Sequence, residues 1–304
     1  MEVAPIGLDI AKSVFQVHGA DERGRPVLRR RLRRAEVLPF FAQLPRCLVG
    51  MEACSTAHFW AREIGALGHE VKLIPAKYVK PYIQRGKSDA ADAAGICEAV
   101  TRPTMRFAAI KSVEQQSVLV LHRVRDLLVK QRTMLANAIR GNLGEFGVVG
   151  PLGLNKVDRL VDVVDDEDDG RVPGGARAAL RVLAAELEEV RARIKGVEAE
   201  ILAWHRSNAA SVRLATIPGV GPITASAIVA TVADASMFKS ARHFAAFLGL
   251  TPKQHSSGEK ERLGRVSKKG DDYIRRLLII GSAALLRYAR GSAAGTVRIS
   301  VCGP

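Results

Sequence analysis

Ile6-Gly7-Leu8-Asp9-Ile10 is an apolar run closed by a carboxylate, and Leu48-Val49-Gly50-Met51-Glu52 repeats the pattern. An ionised carboxylate at the end of a buried strand is costly unless a positive charge compensates it. Lys87-Ser88-Asp89-Ala90-Ala91-Asp92-Ala93 then sets two more acids at i and i+3, on one helix face. Two strand-end acids and a helical pair point to a divalent cation as the compensating charge. Carboxylate oxygens of this kind suit Mg²⁺ or Mn²⁺, and paired metals serve phosphodiester displacement.

Working outward from these runs, residues 1 to about 105 read as strands and helices in alternation. A strand into Asp9 leads to a hairpin turning at Asp21-Glu22-Arg23-Gly24-Arg25-Pro26. A short helix near Glu36 to Leu44, the strand into Glu52, a helix from about Thr56 to Leu67 and a strand Glu70 to Ile74 precede the helical stretch carrying Asp89 and Asp92. A hairpin followed by alternating strands and helices predicts a mixed sheet covered by helices. Acids on the first and fourth strands and on a later helix fit an α/β RNase H-like fold.

From about Ile110 to Gly144 the pattern turns helical, with Val113, Val120, Val124, Leu128, Leu135 and Ile139 near one face. In the later stretch, Leu180, Leu183, Leu187, Val190, Ile194, Val197, Ile201 and Trp204 alternate spacings of three and four, a heptad seam. The two stretches read as a helical hairpin and dimerisation arm. Between them the acids Asp162, Asp165, Asp166, Glu167, Asp168 and Asp169 read as a solvated linker, because like-charge blocks repel and stay open.

The last hundred residues change character again. Ile217-Pro218-Gly219-Val220-Gly221-Pro222 before Thr224-Ala225-Ser226-Ala227-Ile228 looks like a helix-hairpin-helix turn. Such a turn offers backbone N–H groups to a phosphate without reading sequence. From Lys239 onward thirteen Lys or Arg face four acids. They include Lys253, Lys260, Arg262, Arg265, Lys268, Lys269, Arg275 and Arg276. A second basic cluster, Arg29, Arg30, Arg31, Arg33 and Arg34, lies on the hairpin near the acids.

Across 304 residues, 46 Lys and Arg against 31 Asp and Glu leave a net charge of +15, which predicts a polyanionic partner held in a salt-dependent way. With 47% hydrophobic and 25% charged residues the chain is globular rather than disordered. Cys47, Cys54, Cys97 and Cys302 form no C-x-x-C pair and no disulfide framework, and read as reduced thiols. The N-terminus carries no secretory signal pattern, and Leu277 to Leu286, the longest apolar stretch, is too short for a bilayer. These features predict a soluble cytoplasmic protein with no membrane partner.

Taken in order, Gly7-Leu8-Asp9-Ile10-Ala11-Lys12, Met51-Glu52-Ala53 and Lys87-Ser88-Asp89-Ala90-Ala91-Asp92-Ala93 resemble the first half of the DEDD-type insertion-sequence transposases, the bridge-RNA-guided recombinases. Ile217-Pro218-Gly219-Val220-Gly221, Phe247-Leu248-Gly249-Leu250-Thr251-Pro252, Ser257-Gly258 and Gly264-Arg265-Val266-Ser267-Lys268-Lys269-Gly270 resemble the second half. The resemblance implies a RuvC-like metal-binding domain over 1–105, a coiled-coil arm over 106–206 and a C-terminal transposase domain over 207–304. It makes Asp9, Glu52, Asp89 and Asp92 the Mg²⁺ ligands and Ser257 the nucleophile, with Ser256 the other candidate. It also implies DNA ends and target as partners, a structured noncoding guide RNA that selects them by pairing, and a homo-oligomer. Gly219 and Gly221, Arg29 to Arg31 and the C-terminal cations are then expected at nucleic acid. Family members run on past the Arg275-Arg276 helix for a further helical stretch, whereas Gly295 to Pro304 has no amphipathic period and looks truncated or altered in frame.

Three other readings compete. An actin-like ATPase needs a second glycine-containing phosphate loop, and the only Asp-x-Gly, Asp168-Asp169-Gly170, lies in the acid linker. A junction-resolvase-like nuclease would use the acids without a serine adduct. An inactive nucleic-acid-binding remnant of an element would use only the charge.

Overall fold

The computed structural model describes residues 5–83, 88–258, 260 and 262–291, and of 288–291 only the backbone. Lys87 and the tail from 292 onward, Cys302 included, lie outside the described residues. The chain divides into two compact units, Met1–Val113 with Val232–Asp234, and Glu114–Thr231 with Ala235–Pro304.

The first unit contains β1 (Pro5–Asp9), β2 (Val14–Ala20), β3 (Pro26–Arg33), α1 (Val37–Ala42), β4 (Leu48–Glu52), α2 (Ala57–Ala66), β5 (Glu70–Ile74), α3 (Ala76–Val79) and α4 (Asp89–Val100). Its sheet runs β3-β2-β1-β4-β5, with β1 antiparallel to β2 and parallel to β4. The expected mixed sheet is therefore present, and its order and connections are those of an RNase H-like domain. The central strands β1 and β4 are covered on both faces, which is why they read as unbroken apolar runs. One face, with Leu8, Phe15, Val17 and Met51, packs on Trp60, Ala61 and Ile64 of α2. The other receives α4.

Gly7 decides how closely α4 approaches. A Cβ there would stand 2.1 Å from the carbonyl oxygen of Ala93 and 2.4 Å from the nitrogen of Cys97, so helix backbone lies directly on strand backbone. Gly50, paired with Gly7 across the parallel ladder, leaves similar room for Val100.

The second unit begins with α5 (Val113–Gly144), α6 (Asp158–Asp165) and α7 (Gly174–Ser207). Helices α5 and α7 lie antiparallel. Trp204 donates to Glu114 at 2.6 Å, Arg125 pairs with Glu198 at 2.7 Å, and Leu128 packs with Val190 and Ile194. Farther along, Ile139 and Leu143 share a core with Leu180 and Leu187. The buried stripe of α7 uses Ala184 where the heptad reading used Leu183, which is only half-buried.

The acid run is not an open linker. Its first part is α6, whose Leu160 and Val164 are buried in that same core. Like-charge repulsion is offset by Arg177, itself buried, which donates to the carbonyl oxygens of Val163 (2.9 Å), Val164 (3.0 Å), Asp169 (2.6 Å) and Val172 (3.3 Å), and to that of Asp166. One guanidinium thus satisfies the C-terminal carbonyls of α6 and the loop after it. Arg177→Ala is expected to cost about 2–4 kcal/mol in urea unfolding, and Arg177→Lys to recover little of it, because a compact ammonium cannot span these acceptors. A loss below about 0.5 kcal/mol would count against this.

The rest of this unit comprises α8 (Ala209–Leu214), α9 (Pro222–Thr231), α10 (Ala241–Phe247), the hairpin strands β6 (Pro252–Gln254) and β7 (Leu263–Val266), and α11 (Asp272–Gly291). His122 of α5, buried and hydrogen-bonded to Ser226 and Tyr273 (3.1 Å each), ties α5 to α9 and α11. Among the described residues no helix is long and apolar enough to cross a membrane.

Candidate functional site

Asp9 ends β1, while Asp89 and Asp92 occupy the first turn of α4, whose N-cap Ser88 accepts from the Ala91 N–H at 3.3 Å. One carboxylate oxygen from each of Asp9, Asp89 and Asp92 lies within 4.8 Å of the others. Oxygen ligands stand about 2.0–2.6 Å from a Mg²⁺ or Ca²⁺ ion, so opposed ligands are about 4–5 Å apart, and this trio has the right spread. Glu52 is outside that trio. It follows Met51, the ladder partner of Leu8, so by register it falls beside Asp9 on the neighbouring strand and on the same face.

The electrostatics agree with the geometry. Burial, followed by the negative charges of Asp92, Asp89 and Glu52, raises the Asp9 carboxyl to about 6, against a small lowering by the Ile10 N–H. Four acids sharing one corner leave a charge deficit that a hard divalent cation would fill, and the donor set fits such an ion.

The ladder also fixes where the hairpin arginines go. Asp9 pairs with Gln16 and Gln16 with Arg31, while Gly7 pairs with His18 and His18 with Arg29. Arg29, Arg31 and Arg33 therefore share the sheet face that carries Asp9, and Arg30 projects to the opposite face with Leu32. All four are exposed, on an edge strand.

In the second unit, Ser257 sits near the tip of the β6–β7 hairpin. It exchanges backbone hydrogen bonds with Lys260 (3.3 Å each), and Gly258 takes φ +60° in the turn. Ser256 Oγ accepts from the Arg262 N–H at 3.3 Å, whereas the Ser257 hydroxyl makes no hydrogen bond among the described residues. Lys253, Lys260, Arg262 and Arg265 of the hairpin are exposed, as are Lys268 and Lys269 beyond its base.

Arg275 has a different environment from these cations. It is buried and donates to the carbonyl oxygens of Leu248 (3.0 Å) and Gly270 (3.4 Å) and to Asp272 (2.6 Å). The loop glycines beside it touch backbone to backbone: a Cβ on Gly270 would lie 2.2 Å from the Phe247 oxygen. Arg276 pairs with Asp126 at 2.9 Å. The Pro218-Gly219 turn closes through Val220 N–H to Ile217 O at 2.9 Å, with Gly219 at φ +83° as a type II turn requires. Gly219 faces the backbone of Gly281 in α11, and Gly221 is exposed before α9.

Sequence reasoning found the acids but missed Gly7 and Gly50, each two residues before a strand-end acid. A glycine inside a strand often marks close approach of another backbone, and that signal was available. Nothing local to Arg275 distinguishes it from its exposed neighbours.

Comparison with known proteins places this geometry in context. A family model for transposases of the DEDD type matches residues 6–147, and a second, described as Transposase IS116/IS110/IS902 family, matches 211–295. A protein named as a probable family 20 transposase of Pseudomonas aeruginosa is 49% identical over 288 residues, covering 94% of this chain and 85% of that protein. A protein of Sinorhizobium fredii named as a putative transposase is 43% identical over 289 residues, 95% of this chain and 74% of the other. The transposase for insertion sequence element IS1111A of Coxiella burnetii is 41% identical over 290 residues, 95% and 79%.

Proposed function

The chain belongs to the IS110-type insertion-sequence transposases, enzymes that cut and rejoin DNA, and from that premise we propose that it does so with Mg²⁺ held by Asp9, Glu52, Asp89 and Asp92 and with Ser257 as nucleophile. The observation that carries the reading is the convergence of Asp9, Asp89 and Asp92, from segments some eighty residues apart, with their oxygens within 4.8 Å. Bound there, Mg²⁺ would supply the positive charge that stabilises the phosphate oxygens in the transition state. Arg29, Arg31 and Arg33 hold the DNA backbone on the same face. Ser257 Oγ attacks phosphorus as one ester P–O bond breaks; its proton leaves to water, and the departing strand oxygen is protonated in turn. Exposed Lys253, Lys260 and Arg262 lower the cost of the alkoxide and hold the attacked phosphate. Ser256 Oγ accepts the Arg262 N–H, whereas among the described residues the Ser257 hydroxyl has no such partner, which favours Ser257.

Sequence choice by a noncoding guide RNA accords with a chain whose cations contact backbone and whose aromatics are few, 5% of residues. The test incubates the full chain with element-end DNA, Mg²⁺ and the adjacent noncoding RNA, and looks for a denaturation-resistant protein–DNA adduct. Ser257→Ala should abolish it and Ser256→Ala should leave most of it. An adduct that persists in Ser257→Ala points to another nucleophile, and cutting with no adduct at all points to the resolvase-like nuclease.

A homo-oligomer is part of the same reading. Val120, Val124, Leu127 and Met134 form a second stripe at heptad spacing on α5, outside the face packed on α7, with Met134 69% exposed. Such a stripe is built for another helix. The double variant Leu127→Glu, Met134→Glu should shift the protein from oligomer to monomer in sedimentation velocity without lowering its melting temperature. An unchanged sedimentation coefficient would remove this stripe as the interface.

A further inference from the structure

Beyond the acids, the face of α4 turned to the β2–β3 hairpin borders a trough. Near the acids, a cavity of about 260 Å³ is lined by Gln16, His18, Arg29, Ala90 and Ala91. It shares His18, Arg29, Ala91 and Ala94 with a larger one of about 620 Å³, which reaches Arg23, Tyr82, Thr101 and Arg102 at the far end of α4. The helical rise from Ala90 to Arg102 is roughly 18 Å, the stacked rise of about five nucleotides of one strand at about 3.4 Å each.

The lining has the chemistry of a strand path. Ala90, Ala91, Ala94 and Gly95 put no bulky side chain on the helix wall, and Arg23, Arg29 and Arg102 supply charge along it. Arg102 lies over the Tyr82 ring, 5.8 Å from its centre, a cation–π contact that holds the guanidinium at the edge of the trough. Its competitor is Glu98, also in the trough and ion-paired with it. Cavities of this size suit one strand rather than a duplex.

We propose that this trough holds a single DNA strand flanking the phosphodiester bound at the acid cluster, with Arg23 and Arg102 as backbone contacts and Glu98 as a brake on binding. The inference rests on the transposase reading above, but its test does not depend on cutting. Binding of the full chain to a fluorescent twelve-residue oligo-dT and to a duplex of equal length is measured in EDTA. The Arg23→Gln, Arg102→Gln double variant should bind the single strand about tenfold more weakly, with a log–log salt slope shallower by about 1.4 for two lost phosphate contacts, and should bind duplex within twofold of the parent. Glu98→Gln breaks the same ion pair yet should bind the single strand severalfold more tightly, which separates loss of a cation from loss of the pair. Both sites are exposed, and unchanged thermal unfolding confirms that the fold is intact. Equal losses on single strand and duplex, or weaker binding by Glu98→Gln, would overturn the proposal. A defect confined to oligo-U would assign the trough to RNA and overturn the DNA assignment. Should Asp9→Asn still cut DNA while these binding effects hold, the metal reading fails and the trough stands.

Discussion

Asp9→Asn should abolish DNA cutting, by about 10³-fold or more, while making the metal-free protein more stable. The two effects have opposite signs because they come from one cause. Burial and the charges of Asp92, Asp89 and Glu52 raise Asp9 to about 6, so the fold holds this carboxylate where its charged form is disfavoured. Between pH 4 and 6 the folded chain keeps a proton that the unfolded chain has already lost. Stability of the metal-free protein therefore falls as pH rises through that window and stays lower above it. Asp9 is half-buried, so solvent screening reduces the effect to on the order of 1–2 kcal/mol. Asparagine removes the penalty and the proposed metal ligand together. Thermal unfolding in EDTA at pH 5 and pH 7.5, beside cutting assays with Mg²⁺, reads both. If the variant cuts as well as the parent, or if it destabilises the EDTA-treated protein at pH 7.5, the four acids are not a cation site.

Gly7→Ala should be almost as damaging, although it touches no charged group. The added Cβ would stand 2.1 Å from Ala93 O and 2.4 Å from Cys97 N, both backbone atoms that cannot swing aside. Relief requires α4 to retreat by about 1 Å, and overpacking of this kind costs about 1–3 kcal/mol. Misplacing reacting groups by about 1 Å costs about 10²-fold in rate, and here the displaced helix carries Asp89 and Asp92. Gly65→Ala in α2 is the control, since a Cβ there meets nothing within 4 Å and should slightly favour the helix. The measurements are the melting temperature and adduct yield of both variants. Parent-like values for Gly7→Ala would mean that the close crossing of α4 over β1 is not needed to assemble the acids.

Much of the site was legible in one dimension. Carboxylates closing apolar runs, and a pair three residues apart behind a serine cap, are local patterns, and local periodicity is what hydropathy reports. The basic surplus was legible for the same reason, as a sum over side chains. Hidden from such a reading were the roles set by neighbours distant in the chain. Arg177 and Arg275 look like surface cations in a list of residues, yet each is buried against carbonyl oxygens. The acid run looked like an open linker until Leu160 and Val164 were seen in a core beneath its exposed carboxylates.

By itself the sequence determined the strands, the helix under Asp89 and Asp92, the charge of the surface and the order of motifs that mark the family, because each depends on residues within a few positions of one another. Only the tertiary structure decided that α4 crosses β1 at a glycine and so brings its acids onto Asp9, and that the arginines of β3 share the face on which Asp9 stands. The physical reason is that a glycine contributes almost nothing to a hydrophobic pattern but determines how near two backbones can come, and that nearness sets which distant charges meet.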